Sequence, residues 1–163
     1  NLVETDDALR DFDPMHKVLP PLRGKNDVSS LVRGILDDTI DCIVSNHVPV
    51  DVEDKRKAFL YAGFGSLGLE QMFSVLYTRL KDKLSLELLL EKLCIGPRKI
   101  LGIPEVRIEM GEEAELTIID TGVSWTFDKS AIRSGCSNAA FLGEAFKAKV
   151  VGVVANKKVH INP

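Results

Sequence analysis

Residues 38–50 read Asp-Thr-Ile-Asp-Cys-Ile-Val-Ser-Asn-His-Val-Pro-Val, a short apolar run that gives way to polar residues and a proline. The part from 40 to 45 is rich in β-branched residues, which predicts a buried strand of a parallel sheet. The carboxyl end of that strand would deliver Asn46 and His47 into a loop. Barrel and doubly wound enzymes place their chemistry on such loops, so we expect any site to lie here.

Helices are predicted on both sides of this stretch, with a charged segment between them. Residues 51–58 are highly charged and predict a solvated loop, and the glycines at 63, 65 and 68 predict a flexible segment. Ser85 is expected to cap a helix that Gly96 and Pro97 end. Apolar residues recur at helical spacing in two further segments: Val28, Leu31, Val32, Ile35 and Leu36, then Leu69, Met72, Phe73, Leu76, Tyr77 and Leu80.

The pattern changes after Pro104. Apolar residues alternate with polar ones between Leu116 and Phe127, a period of two that predicts a strand. Residues 149–154 predict a second strand, which turns at Asn156-Lys157 into a third, and residues 135–143 predict a loop. The chain therefore divides into an α/β part, residues 1–103, and an all-β tail, residues 104–163.

The α/β part is too short for a closed barrel. A (β/α)8 barrel needs about 250 residues, and the whole chain has 163 and begins with Asn1 rather than methionine. We therefore expect an incomplete barrel that is part of a longer polypeptide and that does not close on its own.

Composition excludes several classes of partner. Hydrophobic residues make up 45% and charged residues 28%, with a net charge of −3, so neither nucleic acid nor an anionic membrane is expected to bind. No apolar run reaches the roughly 20 residues of a membrane span. The sequence contains three cysteines, Cys42, Cys94 and Cys136, which are far apart and form no C-x-x-C pair, as expected in the reducing cytoplasm.

The residues alone do not define a catalytic site. None of the histidines, His16, His47 and His160, is paired at a spacing typical of metal ligands, so no metal site is expected in this chain. Residues 63–68 match G-x-G-x-x-G but follow a poor core strand, which favours a flexible loop over nucleotide binding. Only His47 stands at a position where a functional role competes with a structural one.

Five motifs, in order and nearly covering the chain, resemble those of the dihydroorotases. Residues 38–50 are similar to D-G-T-I-D-x-I-x-[ST]-D-H-A-P-H, and residues 17–23 to K-x-N-P-P-L-R. Residues 62–70 resemble A-P-F-G-x-x-G-L-E, residues 94–102 resemble T-x-N-P-A-x-x-L-G, and residues 138–143 resemble N-T-P-F-x-G.

This resemblance implies a fold and a cofactor. The family fold is a metal-dependent (β/α)8 TIM-type barrel with a small β-sandwich domain. Residues 1–103 would be the last units of the barrel, and residues 104–163 the C-terminal strands of the β domain. The family binds zinc through ligands in its N-terminal half, so we expect no metal on this chain itself.

The resemblance also implies a site, and three of its residues depart from the family pattern. Asn46 stands where the family has the aspartate that transfers the proton, and an amide has no titratable proton. Val50 stands at the histidine that holds the substrate carboxylate, and Leu19 at the asparagine that holds the substrate ring. Phe64 and Gly65 match the family's substrate-binding segment. For His47, which matches the family's first histidine, we favour a loop-ordering role.

These departures favour an inactive dihydroorotase-like chain, kept as a structural or assembly partner in pyrimidine biosynthesis. The expected partners are aspartate carbamoyltransferase or another enzyme of that pathway, together with the missing N-terminal half, in an oligomer. The alternative is an active zinc-dependent cyclic amidohydrolase whose metal ligands lie in that half. A surviving H-x-H motif upstream, with a lysine or bridging acid, would favour the alternative.

Overall fold

The α/β part is built from helices joined by turns and extended segments. The computed structural model describes residues 1–162. Its helical elements up to residue 101 are the 3-10 turns Asp6–Leu9 and Pro14–His16, α1 (Lys25–Leu36), α2 (Val52–Lys55), α3 (Met72–Leu80), α4 (Leu86–Leu90), a π-helical turn (Glu91–Ile95) and α5 (Gly96–Leu101). No helix within residues 1–162 is long and apolar enough to cross a bilayer.

The helices predicted from apolar spacing are confirmed. The faces of α1 and α3 that carry the apolar stripes turn inward, burying Ile35 and Leu80. Ser85 caps α4, because its hydroxyl accepts the Leu88 amide at 3.2 Å. The predicted break at Gly96 and Pro97 is wrong: the chain stays helical, and Pro97 lies in the first turn of α5, where its missing amide hydrogen costs little.

The charged segment at residues 51–58 is also more ordered than predicted. It contains α2, and the side chain of Lys55 is buried, at 2% exposure. Charge density alone predicts solvation, but Lys55 reaches inward to carbonyl oxygens that the local sequence does not reveal.

The predicted strand at residues 40–45 does not form among residues 1–162. The segment has no regular secondary structure, and no strand of the described residues pairs with it. Its backbone is fixed instead by the Ile40 amide, which donates to Gly34 O at 2.8 Å, and the Ile43 amide, which donates to Lys92 O at 2.9 Å. The apolar pattern was recognised correctly, but a strand also needs a hydrogen-bonding neighbour, which periodicity does not supply.

The all-β tail forms one antiparallel sheet of three strands. They are β1 (Leu116–Thr126), β2 (Ala145–Ala155) and β3 (Lys158–Ile161), in that spatial order. Leu116 pairs with Val154 at one end of the β1–β2 ladder, and Trp125 pairs with Phe146 near the other. The predicted strands, the turn at residues 156–157 and the loop at residues 135–143 are confirmed.

Two apolar cores join the helical part to the sheet. The first packs Ile35 and Ile43 with α3 and with Ala148 of β2. The second packs Leu67 and Val75 against Phe127 and Phe146. Ser74 strengthens the junction, because its hydroxyl donates to Ala148 O at 2.8 Å. The loops between residues 45 and 70 are thereby held between the helices and the sheet.

Candidate functional site

The loop of residues 46–50, called here the 46–50 loop, begins at Asn46. This residue lies in the left-handed region, with φ of 46°, which asparagine tolerates better than most residues. Its side-chain Nδ2 donates to the backbone oxygen of Leu19 at 2.9 Å. The amide therefore ties the loop to the segment around Leu19, and one of its two N–H donors is used.

His47 ties the same loop to the residues that precede α3. Its Nδ1 accepts the amide hydrogens of Gly68 at 3.1 Å and Leu69 at 3.3 Å. Those two donors place the imidazole proton on Nε2. The Nε2 atom faces the hydroxyl of Ser134 at 3.4 Å. Both ring nitrogens thus contact the protein framework.

Glu70 continues this polar chain into the tail. Its Oε1 accepts from the Ser134 hydroxyl at 2.5 Å, from the Ser134 amide at 2.8 Å and from the Arg133 amide at 3.3 Å. Burial raises the pKa of the Glu70 carboxyl, but the hydrogen bonds, with that of the Ser134 hydroxyl foremost, outweigh it, so the pKa lies below its ordinary value. Its Oε2 is buried and has no partner among residues 1–162.

Asn138 holds the far end of the 46–50 loop. It is 1% exposed, its Oδ1 accepts the Val50 amide at 3.1 Å, and its Nδ2 donates to Val48 O at 3.0 Å. Its own carbonyl oxygen accepts the Leu67 amide at 3.0 Å. One buried side chain from the tail therefore fixes a loop from the helical part.

The side chains of the 46–50 loop pack on glycines. A Cβ on Gly65 would stand 2.6 Å from Val48 Cγ1, and one on Gly63 would stand 3.0 Å from Val50 Cγ1. Gly65 also has a φ of +139°, which a side chain would strain. Val50 thus fills a packing position against Gly63 with a group that offers no hydrogen bond.

Two buried lysines support the neighbouring wall. Lys17 Nζ donates to the carbonyl oxygens of residues 59, 60 and 62, at 2.7, 3.1 and 2.8 Å, and lies 4.6 Å from the centre of the Phe64 ring. Lys55 Nζ donates to Pro14 O at 2.7 Å and to Lys17 O at 3.2 Å. Burial, followed by repulsion from Lys17, lowers the pKa of Lys55. Lys17 and Lys55 therefore stabilise the position of the segment that carries Phe64.

An apolar cleft of about 450 Å³ opens beside the loop. Asn46 lines it, together with Val44, Cys42 and residues of α1 and α3, whereas Leu19, Val50, Phe64 and Gly65 do not. Leu19 meets Asn46 only through its backbone oxygen. The five residues predicted for the site thus lie in one region, but their side chains do not line one common cavity.

Zinc does not fit the residues present. Within residues 1–162 no three side chains from histidine, cysteine, aspartate or glutamate come together as ligands. In addition, His47 Nδ1 is occupied by two backbone amides, and the Asn46 amide is a poor zinc ligand. No step of a reaction is therefore assigned to a metal on this chain.

The comparisons with known proteins agree in sequence and in fold. No protein-family model matches the chain. A dihydroorotase of Syntrophus aciditrophicus is 35% identical over 156 residues, 95% of this chain and 37% of the relative. A dihydroorotase of Thermus aquaticus is 43% identical over 122 residues, 74% of this chain and 29% of the relative. The chain thus spans little more than a third of the length of the relatives it matches.

Solved structures give the same picture. An L-hydantoinase (dihydropyrimidinase) of Arthrobacter aurescens superposes with a TM-score of 0.83 at 30% identity, over 97% of this chain and 37% of its own. A dihydropyrimidinase of Brevibacillus agri gives a TM-score of 0.84 at 22% identity, which shows the shared fold alone. The chain is thus similar to dihydroorotases over 95% of its own length, and it shares its fold with a hydantoinase over 97% of that length.

Sequence reasoning missed most of the residues that hold this region together. Asn138, Lys17 and Glu70 were noticed only as members of motifs, and Lys55 only as part of a charged run. The pairing of Glu70 with Ser134, 64 positions away, gave no signal. Lys55 lies within the charged segment of residues 51–58, and nothing in that segment distinguishes a buried lysine from an exposed one.

Proposed function

We propose that the chain is the C-terminal portion of a dihydroorotase-like amidohydrolase, with residues 1–103 as the last barrel units and residues 104–163 as its share of a small β-sandwich domain. The match to about 37% of each relative supports this assignment. So does the segment at residues 40–45, which has the apolar, β-branched sequence of a buried strand and lines the cleft.

Within that assembly the chain serves as framework and does not itself turn over dihydroorotate. The observation that carries this proposal is the Asn46 amide, which stands where the family motif has a titratable acid and donates one of its N–H groups to Leu19 O. An aspartate at this position would set a carboxylate oxygen against the Leu19 carbonyl oxygen. The local structure is therefore adapted to the amide, and position 46 offers no titratable group for proton transfer.

The partner on this proposal is another pyrimidine-pathway enzyme, aspartate carbamoyltransferase first, in a cytoplasmic oligomer. The retained features support binding over chemistry: the glycines that seat Val48 and Val50 and the buried Asn138 all stabilise shape. The charged surface around residues 51–56 and the sheet edges are the proposed contacts.

The second candidate is an active zinc-dependent cyclic amidohydrolase whose metal ligands lie outside this chain. The observation that favours it is the name dihydroorotase, which the Syntrophus and Thermus relatives share. On this candidate, an acid from outside residues 1–163 would replace the missing aspartate.

A turnover assay tests whether the chain turns over dihydroorotate by itself. The pure chain, with and without added zinc, is compared with the Syntrophus relative for the hydrolysis of dihydroorotate. We expect no turnover above background from the chain and none from Asn46→Asp, because the substrate contacts at 19 and 50 are still absent. A robust zinc-dependent rate from the unmodified chain would overturn the proposal.

Association with aspartate carbamoyltransferase is tested separately. The two proteins from one source are mixed at micromolar concentration, where an interface worth about −8 kcal/mol would be half saturated. We expect a complex by analytical ultracentrifugation. If the two proteins sediment independently, this partner is wrong, whatever the turnover assay gives.

A further inference from the structure

Aromatic and apolar side chains from two loops form an exposed surface, called here the Phe12 patch: Phe12, Phe59, Leu60 and Tyr61. The rings of Phe12 and Phe59 meet edge to face, with centroids 5.8 Å apart and planes at 73°. Phe12 is 68% exposed, and Leu60 and Tyr61, which follow Phe59 along the chain, are 76% and 74% exposed. Single exposed apolar residues are common, but a group of large ones is typical of a surface that binds another protein.

The protein holds this patch in a fixed position. Lys17 Nζ donates to the carbonyl oxygens of Phe59 and Leu60 at 2.7 and 3.1 Å. The Tyr61 amide donates to Ala58 O at 2.8 Å. A surface whose backbone is already ordered loses less conformational entropy when a partner binds.

Phe12 has a backbone conformation that its packing does not explain. Its φ is 53°, in the left-handed region that favours glycine and asparagine and is unusual for a bulky side chain. This conformation does not bury the ring, because most of the side chain stays in water. A strained residue that adds little to packing indicates a role in binding.

The Phe12 patch lies beside a concentration of negative charge. Residues 4–13 contain five acids and one arginine, a net charge of −4, whereas the whole chain has −3, so the remaining residues sum to +1. Arg10, the one base in the segment, is already paired with Asp7 at 2.7 Å. Asp11 and Asp13 flank the exposed ring in sequence, and neither takes part in a salt bridge among residues 1–162.

We propose that the Phe12 patch and the acids beside it bind a basic segment of another protein, one in which arginine or lysine stands next to aliphatic or aromatic side chains. The cations of such a segment would pair with Asp11 and Asp13 and lie over the aromatic rings. Its apolar side chains would cover Leu60 and Tyr61. This inference goes beyond the proposed function, whose contacts lie elsewhere on the chain.

The charge of the surface disfavours other occupants. Nucleic acids and anionic membranes present phosphate groups, which the acids of residues 4–13 would repel. A two-fold contact between copies of this chain would set the same acids against each other.

The test uses the full chain and a synthetic peptide in which arginines and leucines alternate between glycine ends. Two matched peptides carry glutamate in place of each arginine, or serine in place of each leucine. Binding is followed by the fluorescence anisotropy of labelled peptide. We expect the arginine–leucine peptide to bind with a Kd of roughly 10–100 μM, and each of the others at least about tenfold more weakly.

Paired acid substitutions locate the binding surface. Asp11→Asn combined with Asp13→Asn should weaken binding of the arginine–leucine peptide by about five- to tenfold. Glu112→Gln combined with Glu113→Gln removes two exposed carboxylates from another part of the surface and should leave the Kd unchanged.

Phe12→Gly separates binding from folding. Glycine adopts a φ of 53° without strain, so the midpoint of urea unfolding should stay the same or rise. The loss of the ring should nevertheless raise the Kd by about tenfold. The control is Ile108→Ser, which removes an apolar side chain that is 87% exposed and should leave the Kd unchanged.

Four results would overturn the proposal. They are no binding of the arginine–leucine peptide, equal binding of all three peptides, equal effects of the two paired acid substitutions, and undiminished binding by Phe12→Gly. If the unmodified chain instead forms a dimer that Phe12→Gly abolishes, a second copy is the occupant and the proposal is wrong.

Discussion

Replacing Asn138 by alanine tests whether the tail holds the 46–50 loop in place. The substitution removes the acceptor of the Val50 amide and the donor to Val48 O, which are 3.1 and 3.0 Å away. A buried group left unpaired costs about 1–3 kcal/mol. Val48 is 37% exposed, so water partly replaces the lost contacts. We therefore expect the free energy of unfolding to fall by about 2–3 kcal/mol.

The measurement is urea unfolding followed by the fluorescence of the only tryptophan. Trp125 reports on the sheet, because its Nε1 donates to Ala148 O at 2.9 Å. With a slope of about 1–2 kcal/mol per molar urea, the midpoint should fall by roughly 1–3 M. The control is Asn162→Ala, which removes an exposed bond to Val150 O and should change stability by less than about 0.5 kcal/mol. Equal effects of the two substitutions, or a loss below about 1 kcal/mol for Asn138→Ala, would refute the reasoning.

Two further predictions concern packing and charge. Gly96→Ala should lower the free energy of unfolding by more than about 2 kcal/mol, because its Cβ would stand 2.2 Å from the Asp41 carbonyl oxygen, whereas Gly135→Ala, with nothing within 4 Å, should be nearly neutral in the same urea assay. Glu70→Gln should weaken the dependence of the free energy of unfolding on pH below about pH 5. The pKa of Glu70 in the folded state lies below its unfolded value near 4.5. The carboxylate therefore stabilises the fold above that pH, and this stabilisation is lost as the pH falls through the folded pKa. Unfolding curves between pH 7 and 3 measure this, and a profile that matches Glu113→Gln, an exposed carboxylate, would contradict it.

The sequence predicted those helices and strands whose patterns of apolar residues lie within a single element. The helical stripe from Val28 to Leu36 and the alternation between Leu116 and Phe127 each depend on a period within one element, and both are confirmed. The strand at residues 40–45 failed for the opposite reason, because strand formation depends on a partner elsewhere. The break at Pro97 failed because the rule that proline ends helices does not hold in a first turn.

The candidate site was predicted by motif and built by contacts that no motif contains. The motifs pointed to the 46–50 loop, and Asn46 of this loop lines the cleft. Its supports are Asn138, 88 positions beyond Val50, and Lys17, bonded 45 positions away to Ala62. Pairings at that separation follow from tertiary packing, so a single sequence does not reveal them.

The central claim is that this chain supplies framework without the chemistry of dihydroorotate hydrolysis. Its most direct test is a chimera in which residues 1–163 replace the matched region of the Syntrophus relative, with the relative's own remaining length supplying whatever metal ligands it holds. The account predicts a folded chimera whose zinc-dependent turnover is about 100- to 10,000-fold below that of the relative, the range that general acid–base catalysis contributes. It also predicts partial recovery when Asn46→Asp, Val50→His and Leu19→Asn are introduced together. Turnover by the unmodified chimera at a rate close to that of the relative would contradict the claim.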